Sequence, residues 1–214
     1  MTNAKRSPHR VRALLGHAAS SVAVTFAVAL ASCGGGGNPL GNPPLVDNPA
    51  GTSGQTLSFV YFQACVAPIL VAQLPINVGG VVSINTCASS GCHDSVNGTG
   101  GALRVAGSAQ PVDLSDPANT AAVVRTTPMY KNFYSAQGST VAGTPTQSRL
   151  LQKPLLQGVL HGGGLIFATE QDPNAKLMRY WITHPVPQGQ DEFSASARTM
   201  FTPPDPKTGT CNTD

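Results

Sequence analysis

The sequence predicts a mainly α fold with long loops, formed as a single domain over residues 57–214. Three observations lead there. Asp172-Pro173 and Ser115-Asp116-Pro117 are helix starts: a side-chain oxygen caps the first turn, and a proline follows where its missing N–H costs nothing. Glycine (23) and proline (18) are abundant while charged residues make up 11% of the chain, a composition of short elements joined by much loop. No two segments alternate polar and apolar residues well enough to propose a sheet, although a strand is allowed over Gly80–Ile84.

The first helix is expected over Leu57–Leu74. Leu57, Val60, Tyr61, Ala64, Ile69 and Val71 form a broad apolar face, which Pro68 interrupts. A second, capped by Ser115 or Asp116, takes Pro117 into its first turn and continues through Ala121, Ala122, Val123 and Val124. A short helix follows around Thr146–Lys153 and ends at Pro154. The last starts at Asp172 and stops before Pro185. Its pairs one turn apart, Leu177 with Trp181 and Met178 with Ile182, make one buried stripe. Tyr130, Phe133 and Tyr134 are aromatics for the core or for the edge of a bound group.

The N-terminus is organised differently. Residues 1–21 hold Lys5, Arg6, Arg10 and Arg12 and no acid, and an apolar run follows from Val22 to Ala31. This is the pattern of a secretory signal peptide over residues 1–32, too short to remain as a membrane span. Leu30-Ala31-Ser32-Cys33 resembles the bacterial lipoprotein lipobox, which implies acylation of Cys33 and anchoring in a lipid bilayer. Gly34 after the cysteine, in place of Asp, implies the outer membrane, on its periplasmic or cell-surface side. An ordinary cleaved signal ending near a cysteine is the alternative. Residues 33–56, rich in Gly, Pro, Asn and Ser, read as a tether. Loss of the signal removes four of the 13 cations and none of the 10 acids, so the net charge of +3 becomes about −1. No basic patch for nucleic acid remains.

Four cysteines follow Cys33: Cys65, Cys87, Cys92 and Cys211. Cys87-Ala-Ser-Ser-Gly-Cys92-His93 places a histidine directly after a pair of thiols. Covalent haem attachment uses that chemistry: each thiol adds to a porphyrin vinyl group and the adjacent imidazole ligates iron. Four residues separate the thiols here, where the common motif has two. Haem c would take Cys87 and Cys92 as thioethers and His93 as proximal ligand, leaving Cys65 and Cys211 as a possible disulfide. Without haem, the four cysteines allow three pairings that the sequence does not rank.

Ala67-Pro68-Ile69-Leu70, then Cys87 to His93, then Leu177-Met-Arg-Tyr-Trp181-Ile182 resemble, in order and spacing, small bacterial c-type cytochrome domains over about residues 57–185. The resemblance implies a cytochrome c-like fold in which the first and last helices cross beside the haem. It also implies electron transfer to a redox partner protein, with no substrate chemistry. The family's common Met-Pro distal ligand pair is missing. Candidates for the sixth iron ligand are His161, His184, Met129, Met178 and Met200. His161 opens His161-Gly-Gly-Gly164, about where the family places its distal ligand, and its glycines let backbone approach a flat macrocycle. A glycine turn with an exposed histidine is the plainer reading of that run. Met129, in a loop after a proline, is the best methionine; Met178 lies on the apolar stripe; His184 ends a helix.

Other chemistries fit less well. A lipase-type reading of His161-Gly-Gly-Gly needs a G-x-S-x-G elbow, which the chain does not have. Zinc lacks a fourth ligand at suitable spacing, and the Asp94–Gly101 loop has too few oxygen side chains for calcium. Adjacent Cys92 and His93 rarely reach the geometry of a catalytic dyad. The expectation is a lipid-anchored monohaem electron carrier. The alternative, from another class, is a haem-free lipoprotein stapled by disulfides that serves as a binding or structural module of the envelope.

Overall fold

The computed structural model describes residues 55–214. The signal, Cys33 and nearly all of the tether lie outside that range. The chain runs α1 (Phe59–Tyr61), a π-helical segment (Phe62–Val66), α2 (Ala67–Val71), β1 (Leu74–Val78), β2 (Val81–Asn85), α3 (Ala121–Val124) and α4 (Pro128–Gln137). A 3-10 turn (Pro145–Gln147), α5 (Arg149–Gln152), α6 (Pro173–Thr183), a 3-10 segment (Ala195–Met200), β3 (Phe201–Thr202) and β4 (Thr210–Cys211) complete it.

The mainly α, cytochrome c-like architecture expected from the sequence is corrected here. Helix of all kinds accounts for only 32% and strand for 11%, with two small antiparallel sheets, β1-β2 and β3-β4. Three local causes are visible. Pro68 has no N–H to give to residue 64, so the first helix opens into a π turn before it, where Ala67 N donates to Phe62 O, and ends at Val71. The next residues fold as a hairpin in register Leu74↔Asn85 to Val78↔Val81 around Gly79-Gly80, both at positive φ (59° and 91°). Every residue of β2 but Asn85 is exposed, so that strand has no buried face for the sequence to reveal by alternation. The third cause lies at residues 115–120, which turn without forming a helix. Asp113 and Asp116 spend their carboxylates on neighbouring N–H groups, and α3 starts only at Ala121 under a Thr120 cap.

The core is aromatic. Trp181, Tyr61, Phe59, Phe62 and Phe133 are fully buried, with Phe62 and Trp181 rings 5.3 Å apart and Phe59 meeting Phe133 edge-on at 5.5 Å. Trp181 Nε1 donates to Ser58 O at 2.8 Å, which fixes α6 against the start of α1. Asp172 caps α6 by accepting from Asn174 N at 2.8 Å. Thr127-Pro128 does the same for α4, which carries Met129 and Phe133 into the core. Met129 therefore lies in a helix and is buried, not in the loop expected. Of the aromatics weighed above, Phe133 fills core, Tyr130 bonds Glu192 at 2.7 Å, and Tyr134 is exposed. Among the described residues no helix is long and apolar enough to cross a membrane.

Two bonds hold the ends. Cys65 and Cys211 form a disulfide across 146 residues, joining β4 to the π segment. Arg125 Nε donates to Glu192 Oε1 at 2.9 Å, while Phe59 N donates to Glu192 O at 2.9 Å and so ties α1 to the same residue. Burial raises the proton affinity of Glu192, but the hydrogen bonds from Arg125 and Tyr130 outweigh it and hold the carboxyl below the usual glutamate range.

Cys211→Ser is expected to lower the unfolding free energy by about 2–5 kcal/mol in a denaturant titration. A loss well under about 1 kcal/mol would mean the tail is held without the bridge. Glu192 adds stability that is complete above its unfolded pKa, about 4.3, and is lost as pH falls through its lower folded value. Glu192→Gln should therefore flatten the acid limb of stability below about pH 4, read from urea unfolding across a pH series. An unchanged limb would assign acid lability elsewhere.

Candidate functional site

The Cys87–His93 segment starts from the end of α2. Ala88 N and Thr86 Oγ1 both donate to Leu70 O, at 3.2 and 3.1 Å. Cys92 N donates to Ser89 O, and His93 N returns to Cys87 O, both at 2.9 Å. The four intervening residues are thus wound into tight turns, and the two thiols are brought near one another despite the long spacing. Both cysteines are free thiols. Burial, and then the neighbouring Cys92, pushes the Cys87 thiol up to about 11.

His93 is fixed from several sides. Val105 N donates to His93 O at 2.7 Å, and Gly100 N to Cys92 O at 2.6 Å. The strand-like stretch that supports it is gripped by α4: Asn132 accepts from Ala106 N at 2.7 Å through Oδ1 and donates to Ala106 O at 3.1 Å through Nδ2. Buried Asn132 is a residue that sequence reasoning missed. Its signal was a polar side chain set among the apolar positions Met129, Phe133 and Ala136.

His161 comes from the opposite wall. Its loop is set by the hairpin, since Asn77 and Leu165 exchange two hydrogen bonds at 2.9 Å each. Gly164 stands at φ 73°, and a Cβ there would lie 2.2 Å from Asn77 O, so only glycine lets β1 approach.

The two imidazoles meet across a cavity of about 480 Å³, with an adjoining apolar recess of about 110 Å³. Their ring centres are 6.3 Å apart and their planes 18° from parallel. His93 Nδ1 lies 3.2 Å from Leu103 O and His161 Nδ1 2.8 Å from Gly164 O. A carbonyl only accepts, so each Nδ1 carries the proton and each Nε2 keeps its lone pair. Among the described residues neither Nε2 has a hydrogen-bond partner. Burial above all holds both imidazoles below the usual histidine range, with the Lys153 charge acting in the same direction on both. They are neutral at pH 7. This is the tautomer and charge state of a metal-ligating histidine steadied by a backbone carbonyl.

The dimensions test whether iron fits. With each Nε2 on the line between the rings, two metal–nitrogen bonds of about 2 Å and roughly 1.1 Å from each Nε2 to its ring centre would span a separation close to the 6.3 Å found. Cys87 lines both parts of the cavity and Cys92 the larger. Leu70, Leu74, Ile76, Leu103, Ile166 and Phe167 supply apolar wall. Among the described residues no group of three or more His, Cys, Asp or Glu side chains is placed to hold a metal ion.

Of the other candidate ligands, only Met178 lines this cavity, in its apolar recess. Met129 and Met200 are buried in the core. His184 stacks on Tyr180, ring centres 3.9 Å apart, with Nδ1 2.8 Å from Tyr180 O. Met178 is buried and lines the apolar recess. Asp94, considered above for a cation loop, caps its own turn by accepting from Val96 N and Asn97 N. Cys33 lies outside the described residues. No family model, curated protein or solved structure matches the chain, so the site rests on its own geometry.

Close packing behind His93 makes a prediction. A Cβ on Gly100 would lie 2.7 Å from Cys92 O and from His93 Cε1 and Nδ1, whereas one on Gly91 would meet nothing within 4 Å. Gly100→Ala is expected to cost about 1–3 kcal/mol, and Gly91→Ala no more than about 0.5 kcal/mol, in thermal unfolding. Equal effects would show that the backbone behind His93 yields freely.

Proposed function

We propose that this chain is an exported, lipid-anchored monohaem c-type cytochrome that carries one electron at a time. Cys87 and Cys92 would hold haem c as thioethers, and His93 and His161 would supply the two protein ligands to its iron. The observation that carries the reading is the pair of near-parallel imidazoles 6.3 Å apart, each with Nδ1 on a backbone carbonyl. Free, neighbouring thiols on the same cavity support it.

When bound, the group supplies a one-electron couple at iron. The residues of this chain do the rest. The carbonyls of Leu103 and Gly164 hold the two imidazoles in the ligating tautomer, and the apolar wall keeps water from the ring. Histidine on both faces favours a lower potential than a histidine–methionine pair. The electron passes to a redox partner protein, with no substrate chemistry assigned. Acylation of Cys33 would hold the domain at the outer membrane, on its periplasmic or cell-surface side, by the tether of residues 33–56. The disulfide-stapled alternative needs Cys87 and Cys92 in bridges and gives the paired histidines no role.

Protein exported from a host with c-type maturation machinery is expected to show a Soret band, sharp reduced α and β bands, and a haem-staining polypeptide on a denaturing gel. His161→Ala should keep the stain but turn the low-spin spectrum high-spin or water-ligated. Cys87→Ser with Cys92→Ser should lose the stain. A colourless wild-type protein, from a host that matures another cytochrome, would defeat the proposal.

A further inference from the structure

The charges around the cavity are one-sided. Lys153 lines both of its parts and Arg149 lines the apolar recess, yet no Asp or Glu lines either. The three ion pairs among the described residues, Arg125–Glu192, Arg179–Glu170 and Lys207–Asp113, use none of these cations. Lys153 is half-buried. Two cations with no acid beside them on the cavity wall make a ready partner for an anionic group of a bound ligand.

Its position is set by the backbone. Lys153 caps the C-terminal end of α5, with its N–H on Arg149 O at 3.1 Å. Pro154 follows, and its carbonyl accepts from Ile166 N at 2.9 Å and Phe167 N at 3.1 Å, which fastens this corner to the segment after His161. Arg149 and Lys153 are four residues apart and so share one face of α5.

We infer that Lys153 and Arg149 form a carboxylate-binding arm of the cavity, selecting a flat apolar ligand that carries two carboxylates at one edge. Resting on the haem reading above, the carboxylates are the two propionates, one for each cation. Cys87 and Cys92 would then hold the group by its vinyl carbons, and Lys153 and Arg149 by its propionates. Lys153 acts as a positioning residue, and its charge also disfavours the oxidised iron, which raises the potential.

The test is an equilibrium redox titration of the haem-loaded full chain, paired with resonance Raman of the propionate-bending band. Lys153→Gln should move the potential to more negative values and displace that band, and Lys153→Arg should restore both. Lys131→Gln, an exposed cation on α4, should change neither. A Lys153→Gln protein that stains for haem but has the wild-type potential and band would overturn the arm and leave the haem reading standing. A wild-type chain without haem would overturn both.

Discussion

A helix leaves its last carbonyls without partners, and in α2 one of these orphans joins the core to the site. Leu70 O accepts both Ala88 N and Thr86 Oγ1, so the first residues of the cysteine loop are fastened to the end of a helix whose Ala67, Ile69 and Leu70 are buried. The Leu70 side chain is itself buried and forms wall in the apolar recess. Upstream, α2 is held by the π segment, which carries Phe62 against Trp181 and Cys65 in its bridge to Cys211. Whatever keeps α6 and the C-terminal tail in place therefore also fixes where His93 can stand. The opposite wall has a separate support, the two hydrogen bonds between Asn77 and Leu165.

The two histidines are thus positioned by different elements, although their walls share one core and are joined where Pro154 O accepts from Ile166 N and Phe167 N. His93 is referred to the helices through Leu70, Val105 and Asn132, and His161 to the hairpin through Gly164 and Leu165. The hairpin has few buried side chains of its own; Leu74 and Ile76 are its only contribution to the interior, while Val81, Val82 and Ile84 are exposed. Its energy comes mainly from the ladder and from the two bonds to residue 165. Opening between the walls would separate the imidazoles without disturbing the aromatic core, and a group bound to both would oppose it by mass action.

Local chemistry was more legible in the sequence than architecture. Asp172-Pro173 read as a helix start because the carboxylate and the proline act within one turn. The identical logic in Thr127-Pro128 was there to be read, and α4 was overlooked because its buried positions include Asn132, which breaks the apolar stripe. Ser115-Asp116-Pro117 misled for a related reason: the aspartates bond turn N–H groups as readily as helix ones. The strand allowed over Gly80–Ile84 overlaps β2, but its pairing with β1 was not legible because the exposed strand carries no alternation. Cys87, Cys92, His93 and His161 could be named from residue type and order. Their supports could not, because Leu103 O and Gly164 O are backbone atoms and every residue has one. Lys153 was missed because a lone lysine means something only once the absence of acids around it in space is known.

The fold correction bears on the site in one specific way. A cytochrome c-like arrangement would present the distal ligand from a loop beside packed helices, and the mainly α reading placed His161 by that analogy. In this chain the histidine is delivered by an exposed β-hairpin and a glycine at φ 73°. The proposed haem attachment would ask little of the scaffold: two thiols, two imidazoles with bound Nδ1, an apolar wall and cations beside it. Each is met by short-range hydrogen bonds that any scaffold with a rigid helix end and a close-packed glycine could supply. The scaffold instead decides how firmly the second imidazole is held. His161 itself is only partly buried where His93 is buried, so its position depends more on the backbone hydrogen bonds of Leu165, Ile166 and Phe167 than on packing around the ring.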